Sequence, residues 1–266
     1  MPKKLIINAD DFGFSDGVNK AVEEGFKNGV ILSASLMATG DNFDEAVSIA
    51  EKNPALGVGV HLNIYRGTPL SDKEEIKTLV GENGKFLGKI SKITARLLLG
   101  KISSAEVERE WRAQIEKIIR AGIRPSHIDS DKHLHLWPSL FKAAAKLAGE
   151  YDIGFIRLVR EPFSFNPIVI ALNLLSGYNA RVASKYGLKT TDCTLGISKR
   201  PTSTDALLSA LGGAKAESVE FICHPSVEAE KDKLGGERTI EFEVLANKGL
   251  KFLVEQKNFE IANFNK

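Results

Sequence analysis

Cysteine is almost missing from this chain: Cys193 and Cys223 are the two in 266 residues, too few for a disulfide framework. No apolar run approaches the roughly 18 residues needed to cross a bilayer. The most apolar stretch, 167–175, is shorter than that and contains Asn173. The opening Met-Pro-Lys-Lys-Leu lacks the long apolar segment and small-residue cleavage site of a secretion signal. A cytoplasmic protein with reduced thiols is therefore expected. Charge of one sign is also lacking. Lys and Arg total 36 against 34 Asp and Glu, which gives no general pull toward nucleic acid or an anionic membrane.

What is present is a repeating alternation of strand-like and helix-like patterns. Apolar runs at 4–9, 31–38, 56–64, 125–130, 154–159, 191–195, 218–223 and 259–264 read as strands. Between them lie helical spacings, for instance 104–122, where a serine cap precedes Val107, Trp111, Ile115, Ile118 and Ile119 on one face. Residues 66–102 are irregular, and 237–255 reads as one long helix. Repeated βα units imply a mostly parallel sheet covered by helices. Seven or eight strands favour an irregular (β/α) barrel of the α/β class, and 1–266 is expected to form one domain.

The chemistry-bearing residues gather at predicted strand ends. Asp10 and Asp11 close the first strand. Adjacent strand residues face opposite ways, so both can point inward only where the strand ends, and Phe12-Gly13 supplies that ending. Two carboxylates forced together repel unless a cation or a shared proton lies between them. His61 follows the third strand, His127 lies on the fourth, and His224 ends a later one. In parallel α/β architectures those ends share one face, where active sites form.

Each residue alone has an ordinary explanation: a helix cap, a satisfied core histidine, loop surface at His133 and His135. Their convergence does not. One carboxylate and two imidazoles make an open catalytic metal site, and Asp11, His61 and His127 are the expected ligands. Asp10 then serves as general base and His224 as general acid, with Asp129 orienting an imidazole from the same strand face as His127. Arg157 and Arg238 are candidates for orienting carboxylates, or for surface ion pairs.

Four segments resemble the YdjC-like carbohydrate deacetylases: Asn8-Ala-Asp-Asp-Phe-Gly13, Gly57-Val-Gly-Val-His-Leu-Asn63, His127-Ile-Asp-Ser-Asp-Lys-His-Leu-His135 and Ile222-Cys-His-Pro225. They occur in the family's order and run through most of the chain. The resemblance implies the same roles for Asp10, Asp11, His61, His127 and His224, one divalent metal ion, Mg²⁺, and an acetylated amino sugar or oligosaccharide as substrate. Two imidazole ligands also suit Zn²⁺. The family often carries another histidine where this chain has Asp131. A homodimer is expected by the same analogy, with neither nucleic acid nor membrane as partner. Two alternatives stay open: a metal-dependent phosphoesterase on a related barrel, and a non-catalytic sugar-binding homologue.

Overall fold

The first apolar run becomes a ten-residue strand, β1 (Lys3–Phe12), whose last eight positions are all buried. Burial on both faces is what a parallel sheet covered by helices requires. The computed structural model describes residues 2–162, 164–232 and 234–265. After β1 come α1 (Asp16–Lys27), capped by the Ser15 hydroxyl, then β2 (Ser33–Leu36), α2 (Phe43–Lys52) and β3 (Gly57–Leu62). The irregular stretch that follows contains a short 3₁₀ turn at Lys73–Glu75 and α3 (Ile90–Leu98).

Next is α4 (Ser104–Arg120), capped by Ser103, which accepts from the Glu106 N–H. Val107, Trp111, Ile115 and Ile118 are buried, as the spacing required, whereas Ile119 is exposed. β4 (His127–Ser130) runs through a 3₁₀ segment, Asp131–Leu136, into α5 (Pro138–Glu150). Then follow β5 (Phe155–Ile156), α6 (Pro167–Lys185), β6 (Cys193–Leu195), α7 (Thr204–Gly213) and β7 (Ser218–Cys223). The expected long helix at 237–255 is two, α8 (Glu237–Leu245) and α9 (Leu250–Gln256). Asn247-Lys-Gly249 interrupts it, because asparagine and glycine satisfy a turn better than a helix interior. β8 (Phe259–Ala262) comes last.

The sheet runs β5-β4-β3-β2-β1-β7-β6 with every neighbouring pair parallel, and β8 pairs with the beginning of β1. It curls until its edges meet. Ile156 N–H donates to Lys189 O (3.1 Å), Lys189 N–H to Gly154 O (2.9 Å) and Thr194 N–H to Arg160 O (3.1 Å). This is the irregular barrel that the strand count implied. One hydrophobic cluster extends from Leu5 to Ile261. Among the described residues no helix is long and apolar enough to cross a membrane.

Two backbone details set the site. Along β1 the pairing with β2 jumps from Ala9–Ala34 to Phe12–Leu36, so Asp10 and Asp11 together oppose Ser35. This is a bulge, and Asp11 adopts the left-handed region at φ 67°. It is the bulge, one residue earlier than Phe12-Gly13, that turns both carboxylates toward the same interior.

Between β3 and β4 the register pairs Val60 with Ile128 and His61 with Asp129, which leaves His127 level with Gly59. A Cβ on Gly59 would lie 2.3 Å from the His127 ring, so the imidazole occupies the space that glycine leaves. Gly59→Ala is therefore expected to destabilise the fold by about 1–3 kcal/mol through overpacking. Denaturant unfolding measures this, and an unchanged midpoint would contradict the close approach.

Candidate active site

Asp10 is buried at the bulge, where Asn8 Nδ2 donates to its Oδ1 at 2.8 Å. Its main partner is Arg157, just past β5. The guanidinium grips the carboxylate at both oxygens, Nη1 to Oδ2 at 2.8 Å and Nη2 to Oδ1 at 2.7 Å. Arg157 also donates through Nε to Glu220 Oε1 (2.8 Å) and lies 2.6 Å from Asp129 Oδ2. Three buried carboxylates thus share one buried guanidinium.

One cation cannot neutralise three anions out of water, so protonation becomes easier for some of them. Burial and the neighbouring Asp129 hold Asp10 above the usual carboxylate range against the pull of Arg157. Glu220, on β7, is pushed up to about 7 by burial, which outweighs Arg157, while Asp129 and Asp10 push further in the same direction. Asp129 goes the other way. Burial opposes its charge, but Arg157 and His61 outweigh that and hold it far below the usual range.

His61 stands at the end of β3, opposite Asp129 in register. Its Nδ1 lies 2.7 Å from Asp129 Oδ1 and its Nε2 lies 3.5 Å from Asp11 Oδ1. Burial disfavours the imidazolium, yet Asp129, with Asp10 and Asp11, raises His61 to about 9. Asp129 orients this ring from the neighbouring strand, the relation common behind metal-binding histidines. Asp11 meets two arginines: Arg66 Nη2 at 2.6 Å on Oδ1 and Arg238 Nη2 at 2.5 Å on Oδ2. Burial would raise its carboxyl, but Arg66 and Arg238 hold it well below the ordinary range. Arg66 Nε also donates to Asp131 Oδ2 at 2.7 Å.

Among the described residues two sets of potential ligand atoms lie within 4.8 Å of one another: Asp10–His61–Asp129 and Asp11–His61–Asp131. In the first, both carboxylates are already bonded to fully buried Arg157, and Asp129 occupies the Nδ1 side of His61. The second keeps Nε2 of His61 facing two carboxylates nearer the mouth. Its donors, carboxylate oxygens and an oriented imidazole, fit a divalent cation.

His127, expected as the third ligand, falls in neither set. It lies two positions before Asp129 on β4, so it sits one layer deeper, about 6–7 Å along the strand. There its Nε2 is 2.9 Å from Ser35 Oγ and its Nδ1 2.9 Å from Ser126 Oγ, with the Phe264 ring centred 4.1 Å away. Burial lowers it to about 3, which keeps it a neutral core histidine. The residue that sequence reasoning set aside is Asp131. The departure from the family's histidine marked the position without revealing its use.

His224 does reach the mouth, at the end of β7. Its Nε2 is 3.9 Å from Asp10 Oδ2, and Arg200 Nη1 approaches its Nδ1 at 3.3 Å. Burial, with Arg200 and Arg238 nearby, lowers it well below the usual value. A guanidinium can only donate, so Nδ1 accepts and Nε2 carries the hydrogen. His135 is structural: Nδ1 faces Ser130 Oγ at 2.7 Å and Nε2 meets Arg157 O at 3.0 Å. Lys132 and His133 both take left-handed backbone angles, and His133 Nδ1 is buried without a hydrogen-bond partner. The apolar start of α6 lines a cavity of about 400 Å³ beside His133 and Trp137.

A family model, "YdjC-like protein", matches residues 4–256. The chain belongs to the YdjC-like family. A carbohydrate deacetylase from Clostridium beijerinckii is 33% identical over 267 residues, covering 98% of each chain. One from Geobacillus stearothermophilus is 41% identical over 160 residues, 60% of this chain and 61% of that one. Among solved structures, a putative cellobiose-phosphate cleavage protein from Enterococcus faecalis superposes with a TM-score of 0.80 at 29% identity. That match covers all of this chain and 98% of the other.

The buried arginine gives a direct test. Arg157→Ala leaves three carboxylates without their cation and is expected to cost about 3–5 kcal/mol of stability. Arg157→Lys should also be impaired, since an ammonium cannot bridge them through a planar fork. Arg124→Ala, whose partner Asp152 is as exposed as Arg124 itself, should leave the denaturation midpoint unchanged. Comparable losses in the buried and exposed variants would refute the ranking.

Proposed function

We propose that this YdjC-like protein is a metal-dependent hydrolase that removes an N-acetyl group from an acetylated amino sugar or oligosaccharide. The observation that carries the reading is the meeting of Asp10, Asp11, His61, Asp131 and His224 at the carboxyl ends of β1, β3, β4 and β7. The naming of the relatives as carbohydrate deacetylases supports it. Asp11, His61 and Asp131 would hold a divalent ion, Mg²⁺ or Zn²⁺, in place of the expected set with His127. When bound, such an ion polarises an acyl carbonyl and acidifies water.

The remaining chemistry falls to the chain. Asp10, lifted above the ordinary carboxylate range and fixed by Arg157, is placed to take the proton of the attacking water. His224 enters neutral, so its Nε2–H acts as a hydrogen-bond donor to the tetrahedral oxyanion or the departing nitrogen. The proton for the amine then starts on Asp10, which both takes it from water and returns it. This modifies the role expected from the sequence, in which His224 was the acid. A phosphoesterase is the weaker reading, because Arg200 and Arg238 are each already paired with a buried carboxylate.

Acetate release from a panel of N-acetylated mono- and oligosaccharides, with and without chelator, tests the assignment. Chelation is expected to abolish release and added divalent ion to restore it. Asp10→Asn should lower the rate by about 10²–10⁴-fold while the protein still takes up the ion. Retained turnover in that variant would remove Asp10 as the base.

A further inference from the structure

Arg66 contacts two of the three groups in the proposed ion site. It reaches Asp11 Oδ1 through Nη2 at 2.6 Å and Asp131 Oδ2 through Nε at 2.7 Å. Asp11 Oδ1 is also the oxygen that lies 3.5 Å from His61 Nε2. The guanidinium therefore engages the very carboxylate oxygen that faces the imidazole. Arg238 holds the other oxygen of Asp11 from within, and its side chain is 0% exposed against 18% for Arg66.

The chain fixes Arg66 in this position. Asn63 clasps its backbone, accepting from Arg66 N–H at 3.2 Å and donating through Nδ2 to Arg66 O at 2.8 Å. The Phe14 ring lies 4.2 Å from the guanidinium carbon, a stacking surface for the planar cation. A further carboxylate lies at the mouth: Asp232 Oδ2 is 3.6 Å from Arg66 Nη1 and also accepts from Arg238 Nη2 at 2.6 Å. Withdrawal of Arg66 toward Asp232 and solvent thus does not leave it without a counter-charge, whereas Arg238, bonded to the same Asp232, is fully buried.

We propose that Arg66 is a built-in counter-cation that competes with the divalent ion for Asp11 and Asp131. It neutralises the two carboxylates when the ion is absent and moves toward Asp232 and solvent when the ion enters. The inference rests on the metal reading above and adds a selectivity element to it: only an ion that binds strongly enough to displace a charge-assisted pair is retained. Asp131 suits this arrangement, since a carboxylate accepts from arginine and a neutral imidazole in its place does so poorly.

Isothermal titration of Zn²⁺ and Mg²⁺ into the wild-type protein, Arg66→Ala, Arg66→Met and Arg66→Lys tests it. Circular dichroism confirms folding, and Arg66→Met keeps the aliphatic cover over Phe14 should Arg66→Ala fail to fold. The Ala and Met variants are expected to bind at least about tenfold more tightly than wild type, the size of one released charge-assisted contact. Arg66→Lys should fall between them and wild type. Wild-type binding with equal or weaker binding in Ala and Met would overturn this inference and leave the metal reading standing. No ion uptake by any of the four proteins would sink both.

Discussion

The active-site face is organised by a single buried guanidinium. Arg157 ties Asp10 on β1, Asp129 on β4 and Glu220 on β7 to one point inside the curled sheet. β4 is separated from the neighbouring pair β1 and β7 by β3 and β2, so the contact also fixes how tightly the sheet curls. Removing one partner from such a cluster leaves an uncompensated charge out of water. The position of His61 follows from the same centre, because Asp129 holds Nδ1 with one oxygen and meets Arg157 with the other.

Charge is distributed in two tiers. The lower tier, around Arg157, is fully buried and supplies a carboxyl, Asp10, that protonates more readily than usual. The upper tier, around Asp11 and Asp131, is closer to solvent and is balanced by Arg66 and Arg238. The difference in access sets the fully buried Arg157 and Arg238 apart from the partly exposed Arg66. On the proposed reading it also divides the chemistry: proton handling below, ion and substrate above.

Much of this was legible in the sequence. Apolar runs and capped helical spacings mark the βα repeat because burial and backbone satisfaction act locally. Asp10, Asp11, His61 and His224 were legible as strand-end residues for the same reason. His127 was not, because its level relative to His61 depends on the register between β3 and β4, a long-range property. Gly59 was the available signal: a glycine facing that position leaves room for an imidazole in the core rather than at the mouth. Arg157 looked equally suited to the surface, since nothing in residues 154–159 shows that Glu220 and Asp10 close around it. The break between α8 and α9 was readable in Asn247-Lys-Gly249 but was outweighed by the apolar spacing on either side.

The bulge at Asp10–Asp11 makes the site a matter of chain length as well as composition. Both carboxylates turn inward because β1 carries one residue more than β2 across that step. Inserting one residue beside Ser35 would let β2 match β1 step for step, restore plain alternation and send Asp11 into the helix layer. Every other ligand type would still be in place, and an inventory of side chains would miss that the centre had been dismantled.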